Sequence, residues 1–137
     1  MAHWLVKSEP GSWSWDDHVR VGVEPWNGVR NHQACNNMKA MKKGDTAFFY
    51  HSVNEKQIVG VLKVVKEYYP DPSDASGRFG MVDFKAMRPV KTPVTLQQIK
   101  DDGRLDHLAL IKQSRLSVMP IDDNAWQILC GMAGIKP

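Results

Sequence analysis

Trp26-Asn27-Gly28-Val29-Arg30-Asn31 sets an aromatic plane, two carboxamides, a flexible turn and a guanidinium within six residues. Together these side chains suit a flat polar ring. The indole offers a stacking face, the amides offer donors and acceptors to the ring's edge, and the guanidinium suits a neighbouring anion. The competing account is a turn beside a packed tryptophan, although a hydrophobic core has no use for Asn-Gly-x-Arg-Asn. Three other segments mix polar and aromatic groups in the same way. They are Lys7-Ser8-Glu9-Pro10, Phe48-Phe49-Tyr50-His51-Ser52 and, as a fourth wall, Gln113-Ser114-Arg115-Leu116-Ser117.

Catalytic patterns are scarce. The chain has no phosphate-cradling glycine loop, no dinucleotide fingerprint and no His-Glu-x-x-His. The five histidines do not pair at metal spacing, and neither a metal nor a cofactor is expected. His51-Ser52 invites a base-and-nucleophile reading, but neighbours on a strand point to opposite faces and would not meet. Asp16-Asp17 fits the acidic first turn of a helix better than an acid–base pair. A chain with 9% aromatics and no enzyme motif reads as a binder rather than an enzyme.

These segments need a scaffold. His3 to Lys7 reads as a first strand. Ser14 caps a helix ending near Gly22, and Asn31 to Met41 reads as a short helix with Met38 and Met41 on one face. Lys43-Gly44-Asp45 is a turn before a strand from Thr46 to His51. Ile58 to Tyr68 is apolar on both faces, which predicts burial on both sides, and Gly60 allows it to bend. A turn-rich loop, 70–77, precedes a strand from Met81 to Val90. Thr95 caps a helix over 96–100, and 105–111 reads as another. Ser114 to Met119 reads as a strand, and Asp122 caps a last helix with an apolar stripe of Ala125, Ile128, Leu129 and Met132. Strands separated by short helices predict an α+β fold built on a small mixed barrel.

With 137 residues the chain is long enough for one domain with a real core. Its net charge of +3 permits a phosphate-bearing partner without demanding one. Lys39, Lys42 and Lys43 cluster, as a solvated surface also would. No apolar run reaches the length of a membrane span, so no membrane partner is expected. The first residues lack a basic stretch followed by a long apolar one. Together with two cysteines, Cys35 and Cys130, that form no disulfide framework, this predicts a cytoplasmic rather than secreted setting.

Seven segments in order carry a resemblance. They are Trp4 to Pro10, Trp26 to Asn31, Asn36-Asn37-Met38, Lys43-Gly44-Asp45, Phe49 to Ser52, Tyr69-Pro70-Asp71-Pro72 and Arg115 to Val118. Together they resemble the EVE domain, over nearly the whole chain, as a single domain 1–137. The resemblance implies a PUA-like bent, mostly closed β-barrel of about five to six strands with flanking short helices, related to the YTH and ASCH domains. It implies a non-catalytic pocket for a modified nucleobase, with modified cytosine in DNA foremost. It also implies a domain-only form without a long N-terminal extension.

The residues suit that role. A base must leave the duplex stack, or be met single-stranded, before its whole ring can be read. Trp26 is the expected platform, with Phe49 or Tyr50 as a second wall. Glu9 would accept from an exocyclic amine, and Ser8, Asn31 and Ser52 would complete the edge. Lys7, Arg30 and Arg115 are candidates for flanking phosphates. Asn27, Gly28, Val29, His51 and Ser117 complete the expected ligand-binding set. Each role has a structural alternative: Trp26 as core, Arg30 paired with an acid such as Asp45. Tyr50 and His51 alternate, so only one can face the ligand from a regular strand. Where the family usually has Tyr-Gln-Ala-Arg-Asn-Asn, this chain has His32-Gln33-Ala34-Cys35-Asn36-Asn37, and Asn27 replaces a frequent aspartate. If that arginine touches phosphate or an acid in the family, this chain has lost the contact, which implies weaker nucleic-acid binding or a different ligand. Two other readings stand beside the first: a PUA- or YTH-like RNA binder of a modified base, and a nucleoside sensor or hydrolase using the same pocket.

Overall fold

The computed structural model describes residues 1–137. Its elements follow the hydrophobic patterning closely. Strand β1 spans His3–Ser8 and helix α1 Trp15–Val21. A three-residue strand, β2, covers Val23–Pro25, and α2 covers His32–Ala40. Strands β3 (Thr46–His51), β4 (Gln57–Pro70) and β5 (Gly80–Thr95) follow. The chain continues through α3 (Leu96–Asp101), a 3-10 turn (Gly103–Leu105), α4 (Ala109–Lys112), β6 (Val118–Ile121) and α5 (Asp123–Ala133).

The cap signals act as expected. Ser14, Thr95 and Asp122 each accept a backbone N–H in the first turn of their helix, and Asn31 does the same for α2. The segment 105–111 does not form one helix. It splits into the 3-10 turn and the four-residue α4, because Leu105, Leu108 and Leu110 must all reach the core. The last strand begins at Val118 rather than Ser114, since Leu116 N–H closes a turn onto Gln113 O.

The six strands form one mixed sheet in the order β2-β5-β4-β3-β1-β6. Only β1 and β3 are parallel; every other pair is antiparallel. Four register shifts interrupt the β4–β5 ladder, and such bulges bend and twist a sheet. The fold class is the α+β arrangement expected, but the hydrogen-bonded ladder does not close: β2 and β6 are free edges. The physical reason is α2. It packs against β6, β5 and β4 across the seam where a closing pair would lie, and Asn37 donates through Nδ2 to Val118 O at 2.7 Å.

β3 lies inside the sheet and is covered on both faces, so Phe48 and Phe49 are both fully buried. On one side Phe48 stacks on Trp126 of α5 at 4.0 Å. On the other, Phe49 meets Trp15 and Trp26 edge-on at 5.5 Å each. Gly60 of β4 makes this second layer possible. A Cβ there would sit 2.5 Å from the Trp15 ring, so only glycine lets the indole lie against the strand.

Candidate functional site

A cleft of about 620 Å³ opens between the end of β1, the loop before α1 and the segment joining β2 to α2. Its volume falls within the range of small-ligand sites, roughly 300–1,000 Å³. Ten expected residues line it: Lys7, Ser8, Glu9, Trp26, Asn27, Gly28, Val29, Arg30, Asn31 and Ser117. Three parts of the chain, distant in sequence, therefore converge as the residue types suggested. Only three of its 14 lining residues are hydrophobic, so most of the wall can hydrogen-bond.

Trp26 forms the floor. It is only 8% exposed, wedged edge-on against Phe49 at 5.5 Å and Phe84 at 5.6 Å. Edge-to-face packing of this kind fixes a ring firmly. Trp26 is thus both core and cleft, and the two accounts of it hold together. Gly28 turns the chain at φ 78°, a left-handed conformation that favours glycine.

Asp71 holds that turn in place. Its buried carboxylate accepts from Gly28 N–H at 2.8 Å, Arg30 Nη1 at 3.1 Å, and the Ser73 N–H and hydroxyl at 2.8 and 2.6 Å. Burial pushes its pKa up, but the hydrogen bonds from Ser73, Gly28 and Arg30 outweigh it and hold the carboxyl well below the usual range. Arg30 is accordingly committed to bracing, with Nη2 on Ser73 Oγ at 2.9 Å and the Phe79 ring 5.6 Å from its guanidinium carbon. Its acid is Asp71 rather than Asp45. Asp45 instead accepts from Ala2 N, Trp4 Nε1 and Lys42 N.

Lys7 is half-buried. Its ammonium donates to Ser114 O at 2.9 Å, and burial pushes its pKa down. Ser8 donates to Trp13 O at 2.5 Å, tying β1 to the loop before α1.

Five expected residues lie elsewhere. Phe49 is fully buried beneath Trp26 and supports the floor instead of forming a wall. Tyr50 is 2% exposed, and burial lifts its phenol to about 12. His51 accepts from Trp15 N–H at Nε2 (3.0 Å), so its Nδ1 carries the proton and donates to Glu55 at 3.0 Å. Both its nitrogens are engaged, which leaves no free base. Ser52 gives its backbone N–H to Ser8 O at 2.9 Å and does not line the cleft. Arg115 lines a separate, shallower cleft of about 310 Å³ with Lys112 and Gln33, which touches the first at Asn31. Alternation allowed only one of Tyr50 and His51 to face the ligand. Neither does, because a central strand covered on both faces has no open side.

Four lining residues were not expected: Ser12, Trp13, Glu24 and Pro25. Trp13 is half-buried at the cleft wall. Its indole N–H donates to His18 Nδ1 at 3.1 Å, and His18 Nε2 meets Phe84 O at 2.8 Å. That pair of partners fixes His18 as neutral with its proton on Nε2. Burial pushes the His18 pKa below 6.5, although the Phe84 carbonyl and Glu24 oppose it. His18 thereby sets the orientation of Trp13, and its ring lies 6.1 Å from Trp26. The sequence held one signal for each wall: a tryptophan in the loop just before the Ser14 cap, and an acid two residues before Trp26.

The EVE domain model matches residues 2–132. The chain belongs to the EVE domain family. It is 36% identical to thymocyte nuclear protein 1 of Gallus gallus over 169 residues, covering 98% of this chain and 70% of that one. This EVE domain superposes on the NMR structure of a Rhodopseudomonas palustris protein with a TM-score of 0.93 at 54% identity, covering 98% of this chain and 94% of that one. It superposes on human THYN1 protein in complex with 5-methylcytosine containing DNA with a TM-score of 0.90 at 31% identity, covering 100% of both chains. The departures in α2 lie beside the cleft rather than in it. His32 packs on Phe79 at 5.0 Å, and buried Cys35 meets Tyr68 Oη at 3.2 Å. Asn27, in contrast, lies on the cleft wall itself.

Proposed function

We propose that this EVE domain is a binding module that reads a modified nucleobase, modified cytosine in DNA foremost, by holding a flipped or single-stranded base in the cleft. The observation that carries the reading is the cleft's placement and make-up. A fixed indole floor, a second indole wall and unengaged amide and carboxylate groups converge in a fold that human THYN1 protein shares while in complex with 5-methylcytosine containing DNA. An aromatic face returns roughly 1–3 kcal/mol per stacked base, which offsets much of the few kcal/mol needed to unstack it. A methyl group on the ring adds about 0.8 kcal/mol if buried against the tryptophans.

No chemical step is assigned to the domain. His51 and His18 have both ring nitrogens engaged, so neither is available as a base toward a bound ring. Trp13 and Trp26 form the aromatic surfaces, Asn27 supplies a donor and an acceptor, Asn31 supplies its Nδ2 donor while its Oδ1 caps α2, and Glu9 and Ser8 line the same cleft. Arg115 and Lys112, in the adjoining cleft, are free for a phosphate.

The test is binding to labelled short DNA and RNA oligonucleotides with a single cytosine, 5-methylcytosine or N6-methyladenine, measured by fluorescence anisotropy at several salt concentrations. The expected result is preference for modified cytosine in DNA, weakening steeply with salt. Trp13→Ala is expected to lower affinity about fivefold to a hundredfold, in line with the loss of one stacking face. Preference for the RNA series would move the reading to an RNA binder. Absence of binding at low salt to every oligonucleotide would defeat it.

A further inference from the structure

The cleft's cations and its acids are in different states. Lys7 is bound to a backbone oxygen, and Arg30 is bound to Asp71 and Ser73. Glu24 is half-buried in the same wall, and its carboxylate joins no ion pair. It also receives no hydrogen bond, whereas the two fully buried carboxylates, Asp45 and Asp71, are each saturated with donors. Its backbone is held rigidly: Glu24 pairs with Phe84 across the β2–β5 ladder, and the next residue but one is the Trp26 floor. His18 feels the charge of Glu24 but spends both ring nitrogens on Trp13 and Phe84.

A half-buried carboxylate is an acceptor only, and leaving it without a donor in a closed complex is costly. A ligand that fits here must therefore bring a donor. Cytosine and thymine differ where this matters. Cytosine presents an amino group at position 4, and thymine presents an oxygen there beside its own 5-methyl group. Stacking and methyl burial treat 5-methylcytosine and thymine alike, so neither can separate them. An acceptor beside position 4 can, since it receives the amine of one base and faces the oxygen of the other; a donor to N3, an acceptor in cytosine and an N–H in thymine, would act in the same sense.

We propose that Glu24 is the residue that makes the cleft specific for a base carrying an exocyclic amine, accepting from that amine and rejecting the methylated oxo base. This rests on the nucleobase reading above and goes beyond it by naming the discriminating group. Glu9 lines the same cleft but is exposed, where water competes for its oxygens and a hydrogen bond nets little.

The test is equilibrium binding of the full chain to oligonucleotides identical except at one position. That position carries 5-methylcytosine, thymine or 5-methylpyrimidin-2-one, which keeps the ring and methyl but has hydrogen at position 4. Wild type is expected to bind 5-methylcytosine about tenfold or more tightly than thymine, the penalty for a carboxylate facing an acceptor. The pyrimidinone should bind more weakly than 5-methylcytosine. In Glu24→Gln the carboxamide can turn its donor to an oxo group, so the 5-methylcytosine-to-thymine ratio should fall toward one. The base series on wild type keeps the test decisive even if that variant folds poorly. Equal wild-type affinity for 5-methylcytosine and thymine, or an unchanged ratio in Glu24→Gln, would overturn the role of Glu24 and leave the nucleobase reading standing. Failure of wild type to bind any of the three would remove both.

Discussion

Asp71 braces the turn of one cleft and Glu24 lines its wall, and they are opposite kinds of carboxylate. Asp71 is sealed beneath the Gly28 turn with four donors on its two oxygens. Glu24 stands half-buried with none. A saturated polar group braces, because it has nothing left to give a ligand. An unsaturated one beside an aromatic floor is an acceptor in waiting. The same division sorts the cations: Arg30 is part of the brace, while Arg115 outside the cleft is unpaired. Residue type alone could not draw this line, since aspartate and glutamate, or two arginines, look alike in a sequence.

Breaking the floor should have the largest effect. Trp26→Ala removes a ring packed on Phe49 and Phe84, with an expected loss of about 3–5 kcal/mol of stability in urea unfolding. A loss below about 1 kcal/mol would mean that the ring is not anchored as described. Such a variant measures the fold as much as the site, so Trp13 and Glu24 are the better probes of binding.

Breaking the brace comes next. Asp71→Ala leaves the Gly28 N–H and the Arg30 guanidinium without their acceptor, at an expected cost of about 2–4 kcal/mol. Because the Gly28 turn carries Asn27 to Asn31, base binding should fall along with stability. Unchanged binding in a folded Asp71→Ala protein would separate the brace from the site.

The smallest effect sharpens the comparison through pH. His18 has its pKa lowered by burial, so its stabilising contribution is complete above the unfolded value of 6.5 and is lost as pH falls below it. Asp71 is also lowered, but from 3.8, so its contribution survives until far more acid conditions. Unfolding free energy should therefore decline in two separate steps on acidification. Protonated His18 can no longer accept from Trp13, so base binding should weaken in the first step, before the brace is touched. A pH profile flat from 7.5 down to 4.5 would contradict the role given to His18.

Much of this was legible in the sequence. Alternation and cap chemistry located β1, β3, β4, β5, α1, α3 and α5, because each is set by local physics: side-chain period, an N-cap hydroxyl or carboxylate, a glycine stop. The resemblance carried by Trp26 to Asn31 and the other segments led to the right family and to ten of the 14 residues that line the cleft. What failed was long-range. β2 is three residues with a proline, too short for any period, and is a strand only because β5 offers it an edge. The buried Phe49, Tyr50 and His51 could not be told from cleft residues, since strand periodicity gives two faces but not what covers them. Trp13 and Glu24 were overlooked because their exposure depends on how α1 and β2 dock. The open ladder in place of a closed barrel likewise depends on where α2 packs.

The central claim is that a base sits on Trp26 beside Trp13, and chemical-shift mapping tests it without altering the protein. ¹⁵N-labelled chain would be titrated with a single-stranded DNA carrying one 5-methylcytosine, following backbone amides and indole Nε1–H signals. The account predicts that the Trp13 and Trp26 indoles and the amides of Ser8, Glu24 and Asn27 to Asn31 move together, with the Trp126 indole in the opposite layer unmoved. Shifts centred elsewhere, or none at these residues at saturating DNA, would contradict it.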